Sequence, residues 1–293
     1  MNRILITGIN SPLGQAVGRK LQAEGHRVVG TVRSSKIGMQ GLPVDELIAL
    51  DLEAKDSFTN ISGSFDSFVH VAAASEGTPE ELMSTTGLGT LYLVNRAVSL
   101  SVKRLIHVSG IDVFGKISTP TVSEGTKPGY QNTYGVAKWA AETYVARASG
   151  LIEGVSIRSP AIAGAKHTRH FLARTLRQML NGDHVINASN KDFYFNNIIH
   201  EDVLSDFISK LLTQTAFFGK QALVVGSVEP MRLEKIISYL AKVTKFQGQI
   251  EWVKSSTSPF DIDFSSSVTF GYTPITVIET LRLWVEELGL ISS

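Results

Sequence analysis

Two side chains in this sequence are spaced for proton transfer. Tyr134 and Lys138 lie four positions apart in Tyr134-Gly135-Val136-Ala137-Lys138, and on a helix such residues share a face. A tyrosine has a pKa of about 10 in water, and a neighbouring ammonium favours its phenolate. A tyrosine so placed can pass a proton to or from a carbonyl or alcohol oxygen. Standing alone, the same spacing describes an ordinary solvated helix face, so the pair needs a context.

A loop at the start of the chain supplies one. The residues are Thr7-Gly8-Ile9-Asn10-Ser11-Pro12-Leu13-Gly14-Gln15-Ala16-Val17-Gly18. They follow an apolar strand and open a helix. Gly8 suits a tight strand-to-helix turn. Gly14 lets backbone approach a pyrophosphate, and Gly18 permits close helix packing. Ser11 followed by Pro12 is a good N-cap and first-turn pair. The helix end then offers its N–H groups and dipole to phosphates. Gly8, Asn10, Ser11, Pro12, Leu13 and Gly14 are therefore the expected dinucleotide contacts. With a nicotinamide ring beside it, Tyr134 would exchange its proton while the cofactor moves hydride, and Lys138 would also hold the ribose.

The second strand bears on which dinucleotide. An NAD-specific fold of this kind ends that strand with Asp or Glu for the ribose hydroxyls. Here the segment is Val32-Arg33-Ser34-Ser35-Lys36, with no acid. Arg33 can stack on adenine and pair with a 2′-phosphate, with Ser34, Ser35 or Lys36 assisting. NADP is the expected cofactor, with NAD as the alternative.

The elements that must position these groups alternate. Strands are expected at 3–7, 27–32, 47–50, 67–73, 104–109, 151–158 and 222–225. Helices are expected at 12–24, 79–100, 133–148, 167–180, 201–212, 231–244 and 274–288, the last with Thr273 as N-cap. Short, near-continuous apolar strands alternating with helices argue for an α/β fold, a Rossmann-type doubly wound parallel sheet.

The 293 residues, 43% of them hydrophobic, suffice for a sizeable core. A formal net charge of +1 with no block of like charge argues against nucleic-acid binding or a polybasic membrane surface. The chain has no cysteine, which excludes disulfides, thiolate metal sites and cysteine nucleophiles. The N-terminal residues run straight into a short strand and no apolar run matches a bilayer, so a cytoplasmic protein is expected.

Taken in order, further segments resemble an extended short-chain dehydrogenase/reductase of the NAD-dependent epimerase/dehydratase family. They are the 7–18 loop, Asp51-Leu52, Val69-His70-Val71-Ala72-Ala73, Val108–Gly115, Tyr134–Glu142, Ile157-Arg158-Ser159-Pro160, Asn197–Asp202 and Gly271-Tyr272-Thr273-Pro274. The resemblance implies that Asp51 and Leu52 flank the adenine and that Ala72 and Ala73 line the cofactor groove. It places Ser159 and Pro160 beside the nicotinamide. It also implies a small mixed α/β C-terminal substrate lobe. Residues 1–165 with 197–226 would bind the dinucleotide, and 166–196 with 227–293 the substrate. A homodimer is implied as well.

The chain departs from the family pattern at four places. Ser11 stands for the middle glycine of the loop. Gly110 stands where the family carries a catalytic Ser or Thr, leaving adjacent Ser109 as the candidate hydroxyl if a bulge re-aims it. Asp112 lies where sugar dehydratases carry an acid. Thr86 stands for an Asn of the family's proton relay, and Ala161 and Asn196 for an Asn and an Arg that hold diphosphate and uridine. Diphosphate recognition would then fall to Arg169, Arg174 or Arg232. His167 and His170 share a helix face in this reading, but no third metal ligand is evident, and no metal is expected. His200 would cap or bridge the lobes, and Trp252, Phe260 and Phe264 would line a pocket or the core.

The resulting expectation is an NAD(P)-dependent oxidoreductase or epimerase acting on a nucleotide-activated sugar. Arg33 tilts it toward reduction of a keto-sugar, a 4-keto-6-deoxy sugar nucleotide at family level. Two alternatives stand beside it: an NADPH-dependent reductase of a non-sugar aldehyde or ketone, and a dinucleotide-binding protein with little or no catalysis.

Overall fold

The computed structural model describes residues 1–34, 40–117, 119–129, 132–213, 222–254 and 259–292. Ser35 and Lys36, named above beside Arg33, lie outside the described residues.

Among the described residues seven strands form the central sheet: β1 (Arg3–Thr7), β2 (Arg27–Val32), β3 (Glu46–Ala49), β4 (Ser67–His70), β5 (Arg104–Gly110), β6 (Glu153–Ser159) and β7 (Ala222–Val224). Their order is β7-β6-β5-β4-β1-β2-β3, and every pairing is parallel. The winding reverses between β1 and β4. In such sheets the crevice beyond the strand C-termini at that point is the ligand site.

The apolar runs are explained by burial on both faces. Along β1, Ile4 and Ile6 face one layer and Leu5 the other. Helices α1 (Pro12–Ala23), α2 (Gly89–Ser99) and α3 (Thr133–Arg147) come first along the chain, followed by α4 (Phe171–Asn181), α5 (Glu201–Thr213), α6 (Leu233–Val243) and α7 (Val277–Glu287). Leu13, Val17 and Leu21 of α1 pack with Leu204, Phe207 and Leu211 of α5 over Ile4 and Ile6. Leu93, Val94 and Ala97 of α2 and Val145 of α3 cover Leu5 and Phe68. A separate apolar cluster joins Leu172 and Leu176 of α4, Ile236 and Leu240 of α6, and Leu281 and Trp284 of α7. Short parallel strand pairs, Val185–Ser189 with Gln249–Val253 and Ala161–Ala163 with Ile198–His200, edge this second lobe.

Several element ends differ from the sequence expectation, each for a local reason. The 79–100 segment is a helix Pro79–Leu82, a π-helical turn Met83–Leu88, and then α2. The π turn brings Thr86 Oγ1 to both Ala74 N and Ala74 O, each at 3.1 Å, and so pins the loop after β4. Helix α4 begins at Phe171 because His170 is its N-cap, its ring Nδ1 accepting from Ala173 N at 3.3 Å. His167 therefore lies before the helix and bonds Glu201 at 2.7 Å, so the expected His167/His170 helix face does not form. Thr276, not Thr273, caps α7, in a reciprocal capping box with Glu279. The segment at 231–232 is a strand rather than the start of α6. Among the described residues no helix is long and apolar enough to cross a membrane.

Candidate active site

The crevice is built at β1. Gly8 has φ +72°, the left-handed region where glycine is favoured. A Cβ on Gly8 would lie 2.9 Å from Ala72 Cα, so the loop rests directly on the segment after β4. A Cβ on Gly14 would collide with the Gly8 carbonyl oxygen. Gly14 thus closes the loop on itself, a tighter constraint than phosphate approach alone. Ser11 Oγ accepts from Gly14 N at 3.1 Å and donates to Gly8 O at 2.7 Å. This hydroxyl is how the loop dispenses with its middle glycine. Gly18 packs on Pro43 and Ile9. Asn10 is exposed, Ser11 and Pro12 are half-buried, and Leu13 is buried in the core. The cradle fits a dinucleotide phosphate group: a capped helix N-terminus, approached by glycine, at the crevice of a parallel sheet.

The other expected contacts ring the same crevice. Arg33 is exposed at the end of β2, and Asp51 is half-buried just past β3. Asp51 Oδ1 accepts from Glu53 N at 3.1 Å. Leu52 is buried against Gly89. Ala72 and Ala73 are half-buried beyond β4. Ser159, at the end of β6, is buried and donates to Pro160 O at 3.2 Å.

Tyr134 and Lys138 do share a face of α3. Lys138 Nζ lies 5.8 Å from the Tyr134 ring centroid and donates to Val108 O at 2.8 Å. The helix is started by Asn132, whose Oδ1 accepts from Gly135 N at 2.8 Å. Gly135 then packs flat on the segment after β5: a Cβ there would lie 2.5 Å from Asp112 O. Burial brings the Lys138 pKa down to about 8, against opposing attraction from Asp112 and Glu142. The expected lowering of the Tyr134 pKa is not what this arrangement produces. Burial raises it, the negative charge of Asp112 raises it further, and Arg169 acts in the opposite sense. The ammonium is turned toward Val108, not toward the phenol oxygen.

Ser109, the candidate hydroxyl, is enclosed. Its Oγ is buried and has no hydrogen-bond partner among the described residues. No bulge turns it to the cleft, because β5 and β6 stay in register through Gly110↔Ser159. A substrate oxygen does not reach it here.

Sequence reasoning missed what lies beneath Lys138. Thr7 Oγ1 and His70 Nδ1 are 2.6 Å apart, and His70 Nε2 meets Thr90 Oγ1 at 2.9 Å. The His70 and His107 rings stack at 5.4 Å, and His107 Nδ1 meets Ser156 Oγ at 3.0 Å. Burial, with Lys138 nearby, takes the His70 pKa down to about 3 and lowers that of His107. Both rings are neutral struts that fix the strand ends. Only their sequence proximity to the crevice strands signalled them.

A cavity of about 740 Å³ opens beside Asp112 toward the second lobe. Ile111, Ile117, Ala161, Leu233 and the phenylalanines 171, 193, 195 and 260 give it an apolar wall. Asp112, Lys116, Ser189, Asn190 and Asn197 are its polar members. The three arginines considered for diphosphate do not line it. Arg169 bonds Ser75, Arg174 holds the Arg169 carbonyl, and Arg232 sits over Tyr194 and 3.7 Å from Asp192. Asn196 is tied to the 261–262 strand, donating to Ile262 O at 3.0 Å and accepting from Ile262 N at 2.9 Å. His200 is buried between the lobes, its Nε2 3.3 Å from Glu287 of α7. Trp252 and Phe264 pack against the apolar cores, and Phe260 reaches the cavity.

Comparison with known proteins gives the family and the fold. Residues 4–216 match the NAD dependent epimerase/dehydratase family, and the chain belongs to that family. Its fold is similar to that of the Bordetella bronchiseptica enzyme WbmG in complex with NAD, at 16% identity and a TM-score of 0.84, covering 98% of this chain and 94% of that one. It is similar to the Thermotoga maritima UDP-glucose 4-epimerase with UDP-glucose, at 18% identity and a TM-score of 0.83, covering 98% of each chain. The Helicobacter pylori ADP-L-glycero-D-manno-heptose-6-epimerase gives 19% identity and a TM-score of 0.82, covering 99% of this chain and 97% of that one. No curated protein matches the sequence.

Proposed function

We propose that this chain is a hydride-transfer oxidoreductase or epimerase acting on a nucleotide-activated sugar, with NADP preferred and NAD as the alternative dinucleotide. The observation that carries the reading is Tyr134 beside Lys138 at the sheet's crevice, next to a cavity closed by a second lobe. Solved proteins of this fold include enzymes named for UDP-glucose and for an ADP-heptose. When bound, a nicotinamide dinucleotide supplies or takes up the hydride. The chain's own residues do the rest. The 8–14 loop holds the phosphates, Lys138 orients the ribose, and Tyr134 exchanges a proton at the substrate oxygen. In this reading residues 1–165 with 197–226 bind the cofactor, and 166–196 with 227–293 cover the substrate.

One observation favours a second reading, an uncharged aldehyde or ketone as substrate. Among the described residues the cavity wall carries four phenylalanines and a single cation, Lys116, which is little to set against a diphosphate. The deciding experiment is a thermal-shift and calorimetric screen with NADPH or NADH present, using UDP, dTDP and GDP and their sugars, followed by a panel of aryl and alkyl ketones and aldehydes. Stabilisation by a nucleoside diphosphate supports the first reading. Turnover of uncharged carbonyls without it supports the second. Unchanged turnover in Tyr134→Phe would remove the catalytic reading of Tyr134 altogether.

A further inference from the structure

A buried polar group left without a hydrogen bond costs stability, so each one found calls for an account. Among the described residues the side-chain atoms in this condition are Ser109 Oγ, His170 Nε2, Asn197 Oδ1 and His200 Nε2. His170 caps α4 through its other ring nitrogen, and His200 Nε2 faces Glu287. Asn197 is the one of the four residues that lines the cavity beside Asp112.

Its placement follows from backbone geometry. Along an extended run, successive side chains face opposite sides. Phe195 and Asn197 line the cavity, while Asn196 between them turns away to Ile262. The Asn197 carbonyl oxygen accepts from Ala161 N at 3.3 Å, which fixes it to the segment that leaves β6 at the crevice. The residue is only 6% exposed. Its amide nevertheless makes no hydrogen bond to any described residue. Oδ1 is sealed behind the wall, and the Nδ2 side is the side left to the cavity.

From this geometry we propose that the Asn197 amide hydrogen-bonds a hydroxyl of the molecule that fills the cavity, and so selects hydroxylated substrates over plain aldehydes and ketones. The partner is a neutral group. Among the described residues the one cation of the wall, Lys116, is exposed, so an anion buried at Asn197 would find no counter-charge. A hydroxyl both donates and accepts, and a half-turn of the amide offers it either Nδ2 or Oδ1. Phe171 and Phe195, edge to face at 5.5 Å, give the carbon skeleton of the same molecule an apolar wall. A molecule that lacks the hydroxyl expels the cavity water and leaves the amide unpaired, and a site of that kind rejects it.

The proposal rests on the reading that this cavity holds the substrate, and the two are tested apart. In the free protein the amide is spare. Asn197→Leu, apolar and of similar shape, or Asn197→Ala, which cannot overpack, should therefore keep or exceed the wild-type urea midpoint. A clear fall in both would show the amide engaged inside the folded chain, as through a buried water, and would overturn the proposal whether or not a substrate is found. With NADPH present, calorimetry then compares UDP-glucose with its 2-, 3-, 4- and 6-deoxy analogues, and turnover compares α-hydroxyacetophenone with acetophenone. In at least one of these comparisons the compound lacking the hydroxyl should be roughly 10-fold to 100-fold poorer with the wild type. In both variants that gap should close to within about 3-fold. A gap that persists in both variants, or no gap in the wild type, would overturn the proposal. If neither UDP-glucose nor α-hydroxyacetophenone is taken, the functional reading fails. Undiminished urea midpoints would then still support an amide held for a ligand, and lowered ones would overturn it.

Discussion

Lys138 is fastened to β5, its Nζ donating to the Val108 carbonyl oxygen at 2.8 Å, one residue before the enclosed Ser109 and two before Gly110. The bond lets an ammonium sit almost fully buried at the sheet end, and its cost is readable as pH dependence. Burial lowers its pKa from 10.5 to about 8. Below about pH 8 folded and unfolded chains both hold the proton, and folding carries the full penalty of burying it. Between about pH 8 and 10.5 only the unfolded chain stays protonated, so stability rises with pH across that window. The span is on the order of 3 kcal/mol. Lys138→Met should remove it. The melting temperature of the variant minus that of the wild type should be largest below pH 8 and shrink toward pH 10.5. The Val108 carbonyl, left without its donor, lowers the variant equally at every pH, so the slope is the readout. A pH-independent difference would contradict a desolvated lysine.

The dinucleotide loop makes a steric prediction. Gly14 faces the Gly8 carbonyl oxygen with no room for a methyl group, and Ser11 ties the same two residues together. Gly14→Ala must push α1 away from β1. Overpacking of this kind costs roughly 1–3 kcal/mol, and the displaced helix end loses its phosphate cradle. Fluorescence titration with NADPH should show at least a roughly 10-fold weaker Kd, since about 1.4 kcal/mol corresponds to that factor. Wild-type affinity in a variant that has lost stability would mean that the loop does not hold the phosphates.

Much of this architecture was legible because it rests on burial. Ile4, Leu5 and Ile6 are apolar at every position since helices cover both faces, and that pattern needs no tertiary knowledge. Tyr134 and Lys138 were legible because helix periodicity is local. What escaped depends on distant partners. His70 and His107 look like any strand residues until Thr7, Thr90 and Ser156 are seen around them. His167 pairs with Glu201, thirty-four residues away, so no window around it foretells a cap at His170 instead of a longer helix. Gly110 was visible as a gap, but Asp112 Oδ2 lies 3.1 Å from where its Cβ would stand, through a side-chain rotation that spacing does not encode.

A buried ion pair joins α3 to β6. Arg158 of β6 donates through Nε and Nη2 to Glu142 of α3, the shortest bond being 2.8 Å, with both side chains nearly sealed from water. Removing one partner strands a charge. Glu142→Leu or Arg158→Met alone should cost roughly 3–5 kcal/mol in urea denaturation, and the double substitution should recover much of that loss. Losses that simply add in the double variant would show that the two charges do not depend on each other.

Arg33 supplies the test of cofactor preference. It follows β2 directly, exposed, and the sequence at that strand's tip, Val32-Arg33-Ser34, carries no carboxylate to bond the ribose hydroxyls of NAD. A guanidinium there would meet the 2′-phosphate of the proposed NADP through charge-assisted hydrogen bonds, each worth about 1.5–3 kcal/mol when well formed. Exposure and salt reduce the figure toward its lower end. Arg33→Ala should therefore raise the Kd for NADPH by roughly 10-fold and leave that for NADH within about 2-fold, because NADH lacks the group that Arg33 would contact. The effect on NADPH should also shrink as salt is raised, as screening of an exposed pair requires. Equal weakening of both dinucleotides would assign Arg33 to adenine stacking instead, and an unchanged Kd for NADPH would place the selectivity elsewhere on the adenine side of the crevice.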